Sequence, residues 1–179
     1  MLVDLAVVFS AAFSPDGRFV LSAGTEAAAR LWDRTTGALI RTLVGSPAGT
    51  MVAAFSTDGR RVLTTVGLPN PSARLWNVET GEVERDFRWS GSWPSSAALS
   101  KDGLRVAAGA QDSRIRVYDA GTGGLLRTMV GQGWISRLAL LLISRRRSAG
   151  RLRFSVGHRT AGSASSAGPE WGRFGPSVY

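Results

Sequence analysis

"RLWDRTTG" (Arg30–Gly37) returns as "RLWNVETG" (Arg74–Gly81) and again as "RVYDAGTG" (Arg116–Gly123). In an extended chain successive side chains alternate between faces, so Leu31, Leu75 and Val117 point away from the arginine and aromatic residue beside them. Each copy then runs into a glycine-bearing turn, "DRTTG", "NVETG" or "DAGTG", that returns the chain as a hairpin. Glycine-containing turns interrupt every candidate helix before it reaches helical length. The stretch therefore reads as strand, turn and strand, three times over.

A second motif recurs in step with the first. Phe13, Phe55 and Leu99 precede "SPDG", "STDG" and "SKDG", spaced by 42 and then 44 residues; Trp32, Trp76 and Tyr118 are spaced by 44 and then 42. The period is about 43 residues, which marks a repeat architecture. Segments 11–45, 53–87 and 97–131 align throughout, and each divides into four short strands. The first strand ends at Phe13, Phe55 or Leu99. In the turn that follows, Pro15 presets φ, Asp16 hydrogen-bonds nearby backbone and Gly17 supplies a permissive fourth position, with Asp58–Gly59 and Asp102–Gly103 as equivalents. The second strand is "RFVLSAG", "RRVLTTV" or "LRVAAGA" and the third ends at Trp32–Asp33, Trp76–Asn77 or Tyr118–Asp119. The fourth follows Gly37, Gly81 or Gly123. A four-stranded unit of this size cannot bury both faces alone, so neighbours must stack, and radial closure would protect their edges.

At these residues the sequence resembles the WD40 repeat family, whose units end in Trp-Asp: "FSPDG…LWDRTTG" (Phe13–Gly37), "FSTDG…LWNVETG" (Phe55–Gly81) and "LSKDG…VYDAGTG" (Leu99–Gly123). The resemblance implies an all-β fold, a partial β-propeller with three four-stranded blades. Its units fall at about 5–45, 46–88 and 89–131 within a repeat region 1–131. Segment 132–143 is read as the first strand of an incomplete, degenerate fourth blade, and 144–179 as an irregular, disordered Arg/Ser/Gly-rich tail. The family's Gly-His before the first strand is absent; "GS" (Gly45–Ser46), "WS" (Trp89–Ser90) and "GQ" (Gly131–Gln132) stand there, and the single histidine is His158. Asp112 holds the usual turn-aspartate position in the third unit, against Glu26 in the first and the longer "GLPNP" connection in the second. Buried Trp32 and Trp76 must therefore find N–H partners other than histidine.

Closed propellers use about 4–8 blades. After Gly131 neither "SPDG" nor "LWD" returns, although "GWISRLALLLI" can supply one first strand and "RLRFSVG" another strand. Ring closure would call on blades missing from this chain or on a homo-oligomer. A longer array left through truncation or a shifted reading frame is the competing explanation, and it predicts a remnant without independent function.

Composition narrows the chemistry. The 179 residues include no cysteine, excluding disulfides, thiol nucleophiles and sulfur metal sites. Net charge is +9, but residues 1–130 hold 14 Lys/Arg against 12 Asp/Glu, and the excess sits in the tail, with 8 Arg against one Glu after residue 130. Arg145–Arg147, Arg151, Arg153 and Arg159 could contact phosphates nonspecifically, but only Phe154 lies among them, so nucleic acid is an unfavoured partner. No CxxC, HExxH or GxSxG occurs, and "DAGTGG" lacks the lysine of a phosphate loop. The expectation is a chain with no catalytic residues, no cofactor and no metal. The longest apolar run near the C-terminus, Leu138–Ile143, is far short of the roughly 20 residues that cross a bilayer, and Asp4 argues against an export signal, so a cytoplasmic location is expected.

Binding is the remaining class. The resemblance implies a non-catalytic scaffold for an unidentified protein partner, using loops at the blade rims. "VGLPNPS" (Val66–Ser72), stiffened by Pro69 and Pro71, and "RWSGSW" (Arg88–Trp93), with Trp89 and Trp93, are the candidate protein-binding loops.

Overall fold

The computed structural model describes residues 7–45, 49, 52–131, 135–141 and 153–158. Every regular element among them is a strand. β1 (Val8–Phe13), β2 (Phe19–Gly24), β3 (Ala28–Asp33) and β4 (Leu39–Val44) form one antiparallel sheet in chain order. A second sheet holds β5 (Ala53–Phe55), β6 (Arg61–Val66), β7 (Ser72–Asn77) and β8 (Val83–Arg88), and a third holds β9 (Pro94–Leu99), β10 (Arg105–Ala110), β11 (Arg114–Asp119) and β12 (Leu125–Val130). The register repeats: Trp32, Trp76 and Tyr118 stand opposite Val20, Val62 and Val106. The strand boundaries follow the turn residues of the sequence to within one or two positions.

Turn chemistry fixes that register. Ser14 Oγ donates to Asp16 Oδ1 at 2.6 Å and accepts from Phe19 N–H at 2.9 Å, while Asp16 Oδ1 accepts from Arg18 N–H at 3.0 Å. Ser56–Asp58 and Ser100–Asp102 repeat the arrangement at 2.5 and 2.6 Å. Gly17, Gly59 and Gly103 sit at φ of 69°, 70° and 68°, a left-handed conformation that side chains with Cβ disfavour.

The sheets stack as blades. β1 lies beside β5, and β5 beside β9, so the first strands line one edge of the array and the fourth strands the other. Between blades one and two, Leu21, Ala29, Leu31 and Leu43 pack against Ala53, Val62 and Trp76. Between blades two and three, Leu63, Ala73, Leu75 and Phe87 meet Ala97, Val106, Ala108 and Tyr118. One face of each blade thus fits the opposite face of the next. Each fully buried aliphatic or aromatic side chain in these seams contributes about 1.5–3 kcal/mol.

β13 (Ile135–Leu141) and β14 (Arg153–His158) pair antiparallel as a separate two-stranded sheet. β13 lies against β9 and β10, as β9 lies against β5 and β6. It falls inside segment 132–143, where a further first strand is expected. Within 144–179, expected to be an irregular tail, Arg153–His158 instead form a strand, in a stretch whose sequence alternates Phe154 and Val156 with polar residues or glycine. The rest of that segment, including Arg145–Arg147, lies outside the described residues.

Candidate functional site

Each blade holds its anchor ring without histidine. Trp32 Nε1–H donates to Ser22 Oγ at 2.9 Å and Trp76 Nε1–H donates to Thr64 Oγ1 at 2.8 Å, both across to the neighbouring second strand. The equivalent of Ser22 and Thr64 in blade three is Ala108, which offers no hydroxyl. There the ring is Tyr118, whose O–H reaches the Arg88 carbonyl of blade two at 3.4 Å. Burial pushes the Tyr118 phenol above its ordinary pKa, so it remains protonated and able to donate. Phe87 adds a tilted ring contact to it, with centroids 5.2 Å apart.

The acidic half of the recurring pair closes the outer hairpin. Asp33 Oδ1 accepts from the N–H groups of Thr35 and Thr36, at 2.9 and 2.8 Å. Asp119 does the same with Gly121 and Thr122, at 3.0 and 2.8 Å. Asn77 Oδ1 accepts from Glu79 and Thr80 at 2.9 and 3.0 Å, so the amide performs the same task uncharged. These bonds, the Thr36 and Thr122 N–H groups foremost, hold the Asp33 and Asp119 carboxyls below the usual range. Asp16 and Asp58 are lowered chiefly by their own turn serines, Ser14 and Ser56. Every one of these acids is occupied by its own turn.

The arginine of "RLW" and "RVY" finds a carboxylate in every blade: Glu26 for Arg30, Asp86 for Arg74 at 3.6 Å and Asp112 for Arg116 at 2.6 Å. Arg116 is 8% exposed and stacks over the Trp89 ring, 5.6 Å from its centroid. Partial burial tends to raise the Asp112 pKa, but the Arg116 bond and the Arg114 N–H outweigh it and leave the carboxyl low.

A second set of arginines ties blade to blade. Arg41 on β4 donates to the Thr80 and Glu79 carbonyls of the next blade's outer turn, at 2.9 and 2.6 Å. Arg85 on β8 donates to the Gly121 carbonyl of blade three at 2.7 Å. Gly81 belongs to this contact. Its φ is 77°, and a Cβ there would come within 2.7 Å of Arg41 Cδ. On the same rim Arg61 donates to the Gly103 carbonyl at 3.2 Å, beneath a small cleft of about 150 Å³ lined by Ser56, Asp58, Arg61, Lys101 and Asp102. The cleft's two carboxylates each accept from their own turn serine, which leaves it a seam between blades.

The two rims differ in kind. Chain direction puts the Asp-Gly turns and the outer hairpin turns on one rim, and the β2–β3, β6–β7, β8–β9 and β10–β11 connections on the other. Pro69 and Asn70 are exposed on that second rim, whereas Pro71 is buried and its carbonyl accepts from Trp89 N–H at 3.2 Å. Trp89 is half-buried against the core of blades two and three, with its Nε1–H donated to the Ser92 carbonyl at 2.9 Å. Trp93 is half-buried and its carbonyl accepts from Gln111 N–H at 3.0 Å. The two candidate loops are therefore neighbours. Trp89 and Pro71 join them to the blades, and Pro69 stands out.

Among the described residues no group of three His, Cys, Asp or Glu side chains could hold a metal, and no helix is long and apolar enough to cross a membrane. The family model "WD domain, G-beta repeat" matches residues 5–33 and 82–119. No curated protein matches the sequence. Two solved structures, "Crystal structure of RRP9 WD40 repeats" and "Structure of U3-55K", each superpose with a TM-score of 0.70 at 15% identity over 78% of this chain. The chain spans less than half of either one, 43% and 44%. Three antiparallel blades, their recurring Trp-Asp, Trp-Asn and Tyr-Asp hairpins and the repeat model matched over residues 5–33 and 82–119 together make this chain similar to the WD40-repeat family and give it the blade fold of the two solved structures.

Proposed function

We propose that the chain is a protein-interaction scaffold whose partner docks on the rim formed by the Val66–Ser72 and Arg88–Trp93 loops. The observation that carries this reading is the contrast between rims. On the opposite rim, turn hydrogen bonds and inter-blade arginines occupy the polar groups one after another. On this rim Pro69, Asn70, Ser90 and Gly91 are exposed on two adjoining loops that are fastened beneath by Pro71 and Trp89. Such a loop pair loses little conformational freedom on binding, which favours affinity.

Affinity capture with three folded forms of the full chain tests the reading. They are the unchanged protein, a Pro69→Asp/Asn70→Lys variant, and a Thr35→Glu variant on the opposite rim, each matched by circular dichroism and thermal melting. A protein retained by the first and third and lost with the second supports the assignment. Equal retention by all three sinks it.

A further inference from the structure

Two carboxylates near the loop rim each carry two arginines. Asp86 Oδ2 accepts from Arg88 Nε–H at 2.9 Å and lies 3.6 Å from Arg74 Nε. Asp112 Oδ2 accepts from Arg116 at 2.6 Å and lies 4.0 Å from Arg114. One arginine of each pair is sunk into a seam: Arg74 donates onward to the Gly45 carbonyl of blade one at 2.6 Å, and Arg116 stacks on Trp89. The other stands in solvent, the Arg88 side chain 73% exposed and that of Arg114 55%. Blade one has no such group. Glu26 is paired with Arg30, and Val44 and Ala28 fill the places of Arg88 and Arg114.

Charge does not cancel in these groups. Each sets two guanidinium groups against one carboxylate, and the inner arginine already neutralises the acid. The outer arginine therefore has donors to spare. Arg88 spends its Nε–H on Asp86, and the Arg114 guanidinium makes no hydrogen bond among the described residues. A guanidinium's planar fork suits a carboxylate, which it holds through two parallel N–H groups. Strand alternation places the two forks. Arg88 shares with Asp86 the side of blade two that faces blade one, while Arg114 shares with Arg116 and Tyr118 the side of blade three that faces blade two. They stand one blade apart, about 10 Å at the spacing of packed sheets, flanking blade two and its Val66–Ser72 loop.

We propose that the partner segment received on this rim is an acidic, extended peptide with two carboxylates three or four residues apart, one held by Arg88 and the other by Arg114. An extended chain rises about 3.3 Å per residue, so that interval spans the separation of the forks. The residues between cross Pro69 and Asn70. The inference rests on the rim assignment above and adds the partner's charge. A basic segment would be repelled by both forks. A single-stranded nucleic acid would want exposed rings for its bases, whereas Trp89 and Trp93 are half-buried and Trp89 is already stacked on Arg116.

NMR titration of the full chain with a short synthetic peptide carrying glutamate at every third position tests the proposal, beside the same peptide with glutamine and a uridine oligonucleotide of equal length. Arg145–Arg147 also attract acids, so binding is read at the Gly91 and Ser113 amides. Saturable shifts there with the glutamate peptide, absent with the glutamine one, are expected. Arg88→Gln and Arg114→Gln should each weaken that binding about two- to fivefold, as loss of an exposed ion pair does, and Arg60→Gln on the opposite rim should leave it unchanged. Melting curves establish that each variant folds, and Arg88→Lys and Arg114→Lys, which keep the charge and lose the fork, should fall between. Shifts confined to other residues, equal binding of the glutamine peptide, tighter binding of the oligonucleotide, or indifference to both glutamine substitutions overturns the proposal. The rim assignment is read separately. A captured protein lost with Pro69→Asp/Asn70→Lys but held equally by an Arg88→Gln/Arg114→Gln chain overturns the acidic partner and leaves the rim standing.

Discussion

Blades two and three share a backbone and differ in how each holds its central ring. Trp76 is served from within its own blade by Thr64, whereas Tyr118 has only Ala108 across the strand and reaches back to the Arg88 carbonyl of the blade before it. The ring and its partner change together: serine or threonine with tryptophan, alanine with tyrosine. What the repeat maintains is a filled slot between blades with its polar atom satisfied. The identity of the ring is secondary to that task.

If packing dominates, truncating either ring is the most damaging change available. Trp76→Ala is expected to cost about 3–5 kcal/mol in urea unfolding, and Tyr118→Ala a similar amount, because each leaves a cavity in a sealed seam. Trp32 is buried as well, 7% exposed against 4% for Trp76, and Trp32→Ala should cost a similar amount. A loss for any one of the three far below the others would break this account of the rings.

The hydrogen bonds separate the blades more finely. Thr64→Val keeps the shape and strands a buried indole N–H, for an expected loss of about 1–3 kcal/mol. Tyr118→Phe removes a bond already at 3.4 Å, the long limit of useful geometry, and should cost less than about 0.5 kcal/mol. Comparable losses from the two would mean that Tyr118 is held as firmly as Trp76. The Tyr118→Trp/Ala108→Ser pair, which writes the blade-one arrangement into blade three, should then be tolerated better than Tyr118→Trp alone.

The strands and turns were legible because their determinants are local. Alternation sets the faces, and Asp-Gly and Asx hydrogen bonds act over two or three residues. The absence of a histidine network was legible too, but its replacement was not. Ser22 and Thr64 lie ten and twelve residues before the tryptophans they serve, and only strand register brings them together. Arg41 and Arg85 carry a clear signal, the same spacing as the aromatic rings, yet their acceptors are backbone carbonyls, which no residue letter announces. Trp89 shows the converse. Its residue type suits an interface, while its stack on Arg116 and its bond to Ser92 make it part of the blade's own packing. Pro69 remains the exposed member of the four candidates.

The smallest expected effect concerns the outer turns, where blade two carries an amide and blade three a carboxylate. The folded-state pKa of Asp119 lies below its unfolded value, principally through the Thr122 N–H. Its contribution is therefore complete above the unfolded value, near pH 4, and is lost as pH falls through the folded pKa. Asn77 has no proton to gain over that interval. In an NMR titration the Gly121 and Thr122 amide resonances should move below about pH 4 with a common midpoint under the ordinary aspartate value, and Asp119→Asn should abolish that transition. Asn77→Asp should install the same transition at Glu79 and Thr80. That transplant separates turn chemistry from its surroundings, because only the substituted residue differs between the two forms of blade two. A Thr122 resonance still moving in Asp119→Asn would place the responsive group elsewhere, and the two turns would no longer be chemical equivalents.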